Sequence, residues 1–349
     1  MAESIYESLG VRTVIDAWGT VTALGGSLMA PEVLQAMQSA AGAFVDMSEL
    51  HTAAGRRIAD LLGVEACCVT CGAAAGLAIA AAACMTGTRR SYAYQLPDTT
   101  GMKDEILCLK CHRDLYDQGM LLSGAHFVEI GVTSSAFLQQ IEDRITERTA
   151  AFFYTSEAET MRGSIPLPEI AALCRRFAVP LIVDASQSAG ILDLDFPRLG
   201  AAFAAMPGHK GLLGPQGTGI LLCRDTGMPL LSGGTGGDSR SHFMPETLPE
   251  RLEAGTHNVC GIAGLREGIR YIRRRTTQRI YAEEERLIRR LAARLNILPG
   301  LRVYYSDKND QSGVLSVVPE NMSCDALSER LGAAGIAVRS GLHCAPLAH

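Results

Sequence analysis

The feature that most constrains this chain is an alternation. Short apolar runs of strand length, each bounded by turn residues, take turns with helical patterns over roughly the first half of the sequence. Residues 66–70, 106–109, 127–130, 150–154 and 180–183 read as strands, and 73–85, 134–145 and 167–177 as helices. Apolar runs with no polar alternate face are what strands buried on both sides look like. The pattern therefore predicts an α/β fold with a mostly parallel sheet covered by helices on both faces. Ligands in such sheets sit beyond the carboxyl ends of the strands. Asp184 falls at such an end.

Outside this core the pattern changes. Residues 1–30 read as an irregular arm. Pro31 opens a helix with Leu34, Met37, Ala41 and Phe44 on one stripe, and a second helix is expected over 52–62. A long amphipathic helix is expected over about 265–297, followed by a small α/β unit. At 349 residues, one large and one smaller domain are the natural division: arm 1–30, large domain 31–255, small domain 256–349. The net charge of −5, with no basic stripe interleaved with aromatics, argues against a nucleic-acid partner. The acidic N-terminus lacks an apolar signal core, and the Ala-rich window 73–85 is too short to cross a bilayer. A cytoplasmic protein with no membrane partner is expected, its 11 cysteines mostly reduced thiols.

The chemistry-bearing stretch is Met206-Pro207-Gly208-His209-Lys210-Gly211, running on through Gly214, Pro215, Gly217 and Gly219. It places a lysine between an apolar strand and a turn loaded with glycine and proline. Such a place desolvates an ammonium and suits a Schiff-base nucleophile. Upstream lies Val183-Asp184-Ala185-Ser186-Gln187.

Together these two stretches resemble the fold type I pyridoxal-phosphate enzymes, within them the class V aminotransferase and cysteine desulfurase group. The resemblance implies a seven-stranded, mostly parallel sheet in the large domain and a truncated small α/β domain. It implies pyridoxal 5'-phosphate as cofactor, with Lys210 carrying it, Asp184 holding the pyridine nitrogen protonated and Gln187 bonding the ring hydroxyl. It also makes His209 a phosphate ligand. Cys71, Gly72 and Ala73, between a strand and a helix start, would supply backbone N–H groups to the phosphate. Thr256 would reach the phosphate of a second subunit, which implies a homodimer with a shared site. His112 would stack on the cofactor ring and pass protons.

The resemblance is uneven along the chain. From about Leu167 onward it is to cysteine desulfurase-like proteins, on residues 207–219, Gly233-Gly234-Thr235-Gly236, 251–256 and 339–349. From Tyr6 to about Gly163 it is to the selenocysteine synthase and glucosaminate-6-phosphate ammonia-lyase group, on residues 10–17, 72–76 and His112-Arg113. The first half implies a carbon–nitrogen or carbon–oxygen lyase or a transferase. The second implies a desulfurase or C–S lyase acting on cysteine or a related amino acid, with Cys344 as persulfide carrier and a sulfur-acceptor protein as partner. The carboxylate-binding arginine of the desulfurases lies downstream of this cysteine, beyond His349, so Arg162 and Arg12 are the candidates to replace it. A truncated, non-catalytic paralogue that binds the cofactor is the third reading. Cys68/Cys71 and Cys108/Cys111 form two CxxC pairs. The first straddles a strand end, which points its thiols to opposite faces, and no metal site is expected. The Cys108–His112 stretch also fits a haem-attachment pattern, but that chemistry needs export and no export signal is seen.

Overall fold

The computed structural model describes residues 5–192, 194–223, 230–231, 254–308 and 311–341. In chain order its strands are β1 (Ile15–Asp16), β2 (Ala66–Thr70), β3 (Glu105–Leu109), β4 (His126–Ile130), β5 (Thr149–Thr155), β6 (Leu181–Asp184), β7 (Phe203–Pro207), β8 (Gly219–Cys223), β9 (Leu301–Tyr304), β10 (Ser316–Pro319) and β11 (Ile336–Ala337). Seven of these form one sheet in the order β2-β8-β7-β6-β5-β3-β4. Neighbours from β4 to β7 pair in parallel, and β8 runs antiparallel to both β7 and β2. The fold class expected from the alternation is the one observed.

Every residue of β5, β6, β7 and β8 is buried, as the unbroken apolar runs require. The helix Ala73–Thr86 is buried on nearly all sides, with Ala80, Ala81 and Ala82 fully enclosed. Its small side chains let it lie close to the sheet. A Cβ at Gly76 would come 3.1 Å from Ala205 Cβ. Helix Met47–Leu62 begins earlier than its apolar stripe suggests, because Asp46 caps it by accepting the N–H of Glu49.

The chain divides into two compact units, Ser27–Arg274 and Met1–Gly26 with Arg275–His349. This differs from the expected division at both ends. The N-terminal segment is not wholly irregular. It contains a short helix, Ile5–Ser8, and β1 pairs in parallel with β11, Ile15 opposite Ile336. Arg12 donates to the carbonyls of Gly332 and Ala333, at 2.8 and 3.3 Å, where the helix Cys324–Ala333 ends. Gly332 O also accepts the N–H of Gly335 at 3.0 Å, and the guanidinium is spent on this helix end. The second difference lies at the other boundary. Helix Val259–Arg275 belongs to the larger unit, because Leu265 and Ile269 are buried and Leu265 packs against Gly208 and Gly214.

The long helix expected over 265–297 is two helices, Val259–Arg275 and Thr277–Leu295. Thr276 separates them with φ +68 and caps the second through its hydroxyl. A β-branched residue at positive φ cannot continue a helix. The helix expected over 134–145 shrinks to Leu138–Glu142, because Val132 and Ser135 close a tight backbone turn just before it. Among the described residues no helix is long and apolar enough to cross a membrane.

Ile182 is fully buried on the central strand β6. Ile182→Ala is expected to cost roughly 2–5 kcal/mol of stability, read from chemical denaturation.

Candidate active site

Asp184 ends β6 with 9% of its surface exposed. Its Oδ1 accepts the N–H of Ser186 at 2.8 Å, which turns the chain sharply. Burial raises its pKa, and the Lys210 ammonium opposes that rise by favouring the ionised form. The two residues are thus within electrostatic reach of each other.

Their positions follow from how two loops meet. The turn after Asp184 and the loop holding Lys210 touch backbone to backbone. A Cβ at Gly190 would lie 2.1 Å from the carbonyl oxygen of Gly211, and one at Gly211 would lie 2.2 Å from that of Ala189. Only glycine permits this approach. The lysine loop is pinned at its base, where Gly208 N–H donates to Thr218 O and Gly214 N–H to Gly208 O, each at 2.7 Å. His209 O accepts from both the N–H and the hydroxyl of Ser27, at 2.7 and 2.9 Å. Lys210 is therefore partly buried on a loop with little freedom, as its flanking glycines and proline suggested.

The expected phosphate turn lies beside it. Pro207 and Thr70 both pair with Gly219, whose Cβ position falls 2.7 Å from the Gly72 backbone. Gly72 precedes the helix Ala73–Thr86 with no side chain capping it, so N–H groups of the first turn have no helical partner. Cys71 is exposed at this turn. His209 Nδ1 is buried without a hydrogen-bond partner among the described residues. Burial and the adjacent Lys210 charge press its imidazole toward the neutral form.

His112 is 2% exposed. Its Nδ1 accepts the N–H of Thr155 at 3.2 Å, and Thr155 lies opposite Asp184 in the sheet. Burial lowers its pKa to about 4, so the ring is neutral and its remaining N–H, on Nε2, donates to Ser164 Oγ at 2.9 Å. Tyr154 meets it edge-on, ring centres 4.5 Å apart. Both nitrogens are thus committed, which fixes the ring plane. Arg162 is exposed on the loop that carries Ser164, whereas Arg12 is engaged as described.

One acidic residue at this place escaped the sequence reading. Glu157 follows β5 on the turn Ser156–Ala158, and its carboxyl is within electrostatic reach of Asp184, Lys210 and Asp114. The residue is open to solvent, yet protein surrounds its carboxyl closely enough to desolvate it. That burial, with the repulsion of Asp184, raises its pKa to about 7. The signal that could have found it is positional: Thr155-Ser156-Glu157 leaves the carboxyl end of the strand next to Asp184. Gln187 is exposed, and its backbone N–H favours the ionised form of Glu157. Thr256 is exposed, just ahead of His257, which meets the buried His51 edge-on at 4.2 Å. Cys344, residues 233–236 and the first part of 251–256 lie outside the described residues.

The family described as Aminotransferase class-V matches residues 118–349, about two thirds of the sequence. The chain belongs to that family. Enzymes of this family use pyridoxal phosphate, and this chain is a pyridoxal-phosphate enzyme of the class V fold. It is 33% identical over 303 residues to a 5'-C-glycyluridine monooxygenase-decarboxylase from a Streptomyces species, covering 85% of this chain and 72% of that protein. It is 36% identical over 191 residues to the D-glucosaminate-6-phosphate ammonia lyase of Salmonella typhimurium, covering 53% of this chain and 52% of the relative. It is 35% identical over 213 residues to a probable cysteine desulfurase of Methanothermobacter thermautotrophicus, covering 59% and 53%. The chain thus spans about half the length of the latter two. Among solved structures, a D-glucosaminate-6-phosphate ammonia-lyase superposes with a TM-score of 0.76 at 24% identity, covering 98% of this chain and 91% of that one.

The buried histidines predict an acid sensitivity. Burial lowers the pKa of His51 to about 3 and that of His112 to about 4, against the ordinary 6.5. Between those limits the unfolded chain binds more protons. Stability is therefore full above about pH 6.5 and is lost as the pH falls through this window. Denaturation midpoints measured from about pH 7 down to about pH 5 are expected to fall, and His51→Asn is expected to flatten that slope.

Proposed function

We propose that Lys210 is the covalent anchor of the cofactor, that Asp184 faces its pyridine nitrogen, and that the enzyme acts on cysteine or a related amino acid by breaking a bond at or next to Cα. The observation that supports this most is the locked approach of the two loops, which presents one amine and one buried carboxylate from neighbouring strand ends. The residues present fit the cofactor. His209 Nδ1 is an orphaned buried polar atom beside a helix start with unpartnered N–H groups, a suitable lining for a phosphate. Asp184 is a buried acid that a cationic ring nitrogen would hold ionised.

When bound, the cofactor supplies an electron sink for the pair released at the substrate Cα. The rest of the work falls to the chain. Asp184 keeps the ring nitrogen protonated. Lys210, once displaced by the substrate amine, takes and returns the proton at Cα. Gly72, Ala73 and His209 hold the phosphate, with Cys71 at the rim of the turn. Gln187 bonds the ring hydroxyl, and His112 sits with its plane fixed by Thr155 and Ser164. Thr256 reaches the second site of a homodimer. In the desulfurase reading the Cys344 thiolate attacks the substrate sulfur. The C–S bond breaks, the sulfur leaves as a persulfide on Cys344, and the substrate carbon keeps the bonding pair and gains a proton. A sulfur-acceptor protein then collects the sulfur, and a cytoplasmic setting belongs to the same proposal.

A second reading, a carbon–nitrogen or carbon–oxygen lyase or a transferase, has its own support. A 5'-C-glycyluridine monooxygenase-decarboxylase matches over 85% of this chain, and an ammonia lyase matches at 36% identity. Incubating the loaded protein with cysteine separates the two. Alanine and persulfide-derived sulfide are expected, with sulfide release lost in Cys344→Ser. Sulfide release that survives this substitution would sink the persulfide mechanism. Ammonia from an amino sugar acid, with no turnover of any sulfur amino acid, would favour the second reading.

A further inference from the structure

The resemblance gives His112 two tasks, lying against the cofactor ring and passing protons. Its hydrogen bonds leave room for only the first. The backbone N–H of Thr155 can only donate, so Nδ1, 3.2 Å away, must accept. That occupies the one lone pair with which a neutral imidazole takes up a proton. The ring hydrogen is therefore on Nε2, and Ser164 Oγ at 2.9 Å must be its acceptor. Ser164 keeps its own hydroxyl hydrogen to donate, and the Tyr154 hydroxyl oxygen lies 3.5 Å away. The Tyr154 hydrogen is already given to the carbonyl of Ile165 at 2.9 Å. Burial raises the pKa of that phenol, so it stays a donor. The series thus points one way, from the imidazole to an amide carbonyl. No group along it is a base that could collect a proton.

Ser164 owes its place to its own loop. Its N–H donates to Met161 O at 3.0 Å. Gly163, just before it, has φ +93, and a Cβ there would lie 2.7 Å from Ser135 N and 2.8 Å from Thr133 O. Only glycine fits between those backbones. Ile165, just after it, is buried. The hydroxyl is delivered by a loop held on both sides, and the 2% exposed imidazole is aligned to it. Thr155, which holds the other nitrogen, is buried at the end of β5 opposite Asp184.

We propose that Ser164 is a positioning residue of the active site, holding His112 as a fixed, neutral ring that takes no part in proton transfer. The proton at Cα is then left to Lys210. The inference rests on the reading that His112 lies against the cofactor.

The test is nitrogen NMR of the full-length protein carrying labelled histidine, without and with pyridoxal phosphate. His112 is assigned by the loss of its signals in His112→Asn. In the cofactor-free protein, Nε2 is expected to carry a hydrogen that exchanges slowly with water. Nδ1 is expected to stay unprotonated through the range around pH ~6.5 where an ordinary histidine titrates. In Ser164→Ala the Nε2 hydrogen has no acceptor, and its signal is expected to be lost to exchange. Ser164→Thr restores a hydroxyl and is expected to restore the signal. A hydrogen on Nδ1, an imidazolium near neutral pH, or an Nε2 signal unchanged in Ser164→Ala would overturn the proposal. If Ser164→Ala does not fold, the tautomer and titration of the unsubstituted protein still decide. Adding pyridoxal phosphate is expected to shift both His112 nitrogen signals with the hydrogen still on Nε2. A hydrogen that leaves Nε2 on loading would also overturn the proposal. Signals that do not move would overturn the parent reading's placement of His112, a failure distinguishable from a wrong tautomer.

Discussion

A carboxylate nine-tenths removed from water is the constraint on which the rest of this site depends. Asp184 is costly to ionise where it sits, and burial raises its pKa accordingly. Ser186 favours its ionised form through its side chain and its backbone N–H, and the Lys210 ammonium adds its field. That is little compensation for a buried charge. A pyridinium nitrogen would complete it, and in return the buried acid would keep that nitrogen cationic. The same burial that makes Asp184 a poor anion in isolation makes it a strong partner for a cation of the right shape.

Holding an amine opposite that acid requires two loops to touch without side chains between them. Gly190 and Gly211 meet this requirement, because a Cβ on either would fall within about two-thirds of a normal contact distance of the opposing carbonyl. Farther out, Ser156 and Ser188 tie the neighbouring strand end into the same assembly. The result is a patch where Asp184 and Glu157 each lie within electrostatic reach of Lys210 and Asp114, on the side of the sheet where the parallel strands end. His112 belongs to the same row of strand ends through Thr155, and its two hydrogen bonds leave it neutral and fixed.

How much of this was legible in the sequence depends on how local the cause is. The buried parallel strands were, because unbroken apolar runs between turns have few other homes. Lys210 and Asp184 were, because each follows such a run. The break at Thr276 was not, since the amphipathic stripe continues across it and only the backbone angle departs. The pairing of residues 15–16 with 336–337 was not, because it joins segments more than three hundred positions apart and involves only two residues on each side. Arg12 was read as a candidate to bind a substrate carboxylate, but it donates instead to the helix-end carbonyls of Gly332 and Ala333. Glu157 was overlooked because its importance comes from the strand beside its own, through a register that no local pattern records.

The central claim is that Lys210 is the amine that condenses with the cofactor while Asp184 faces the other end of the ring. The most direct measurement is to reduce the loaded protein with borohydride and map the modified peptide by mass spectrometry. The account predicts that the added mass falls on the lysine of Gly208-His209-Lys210-Gly211, and that Asp184→Ala weakens cofactor binding without moving that site. Label on any other lysine, or none with the cofactor bound, would contradict it.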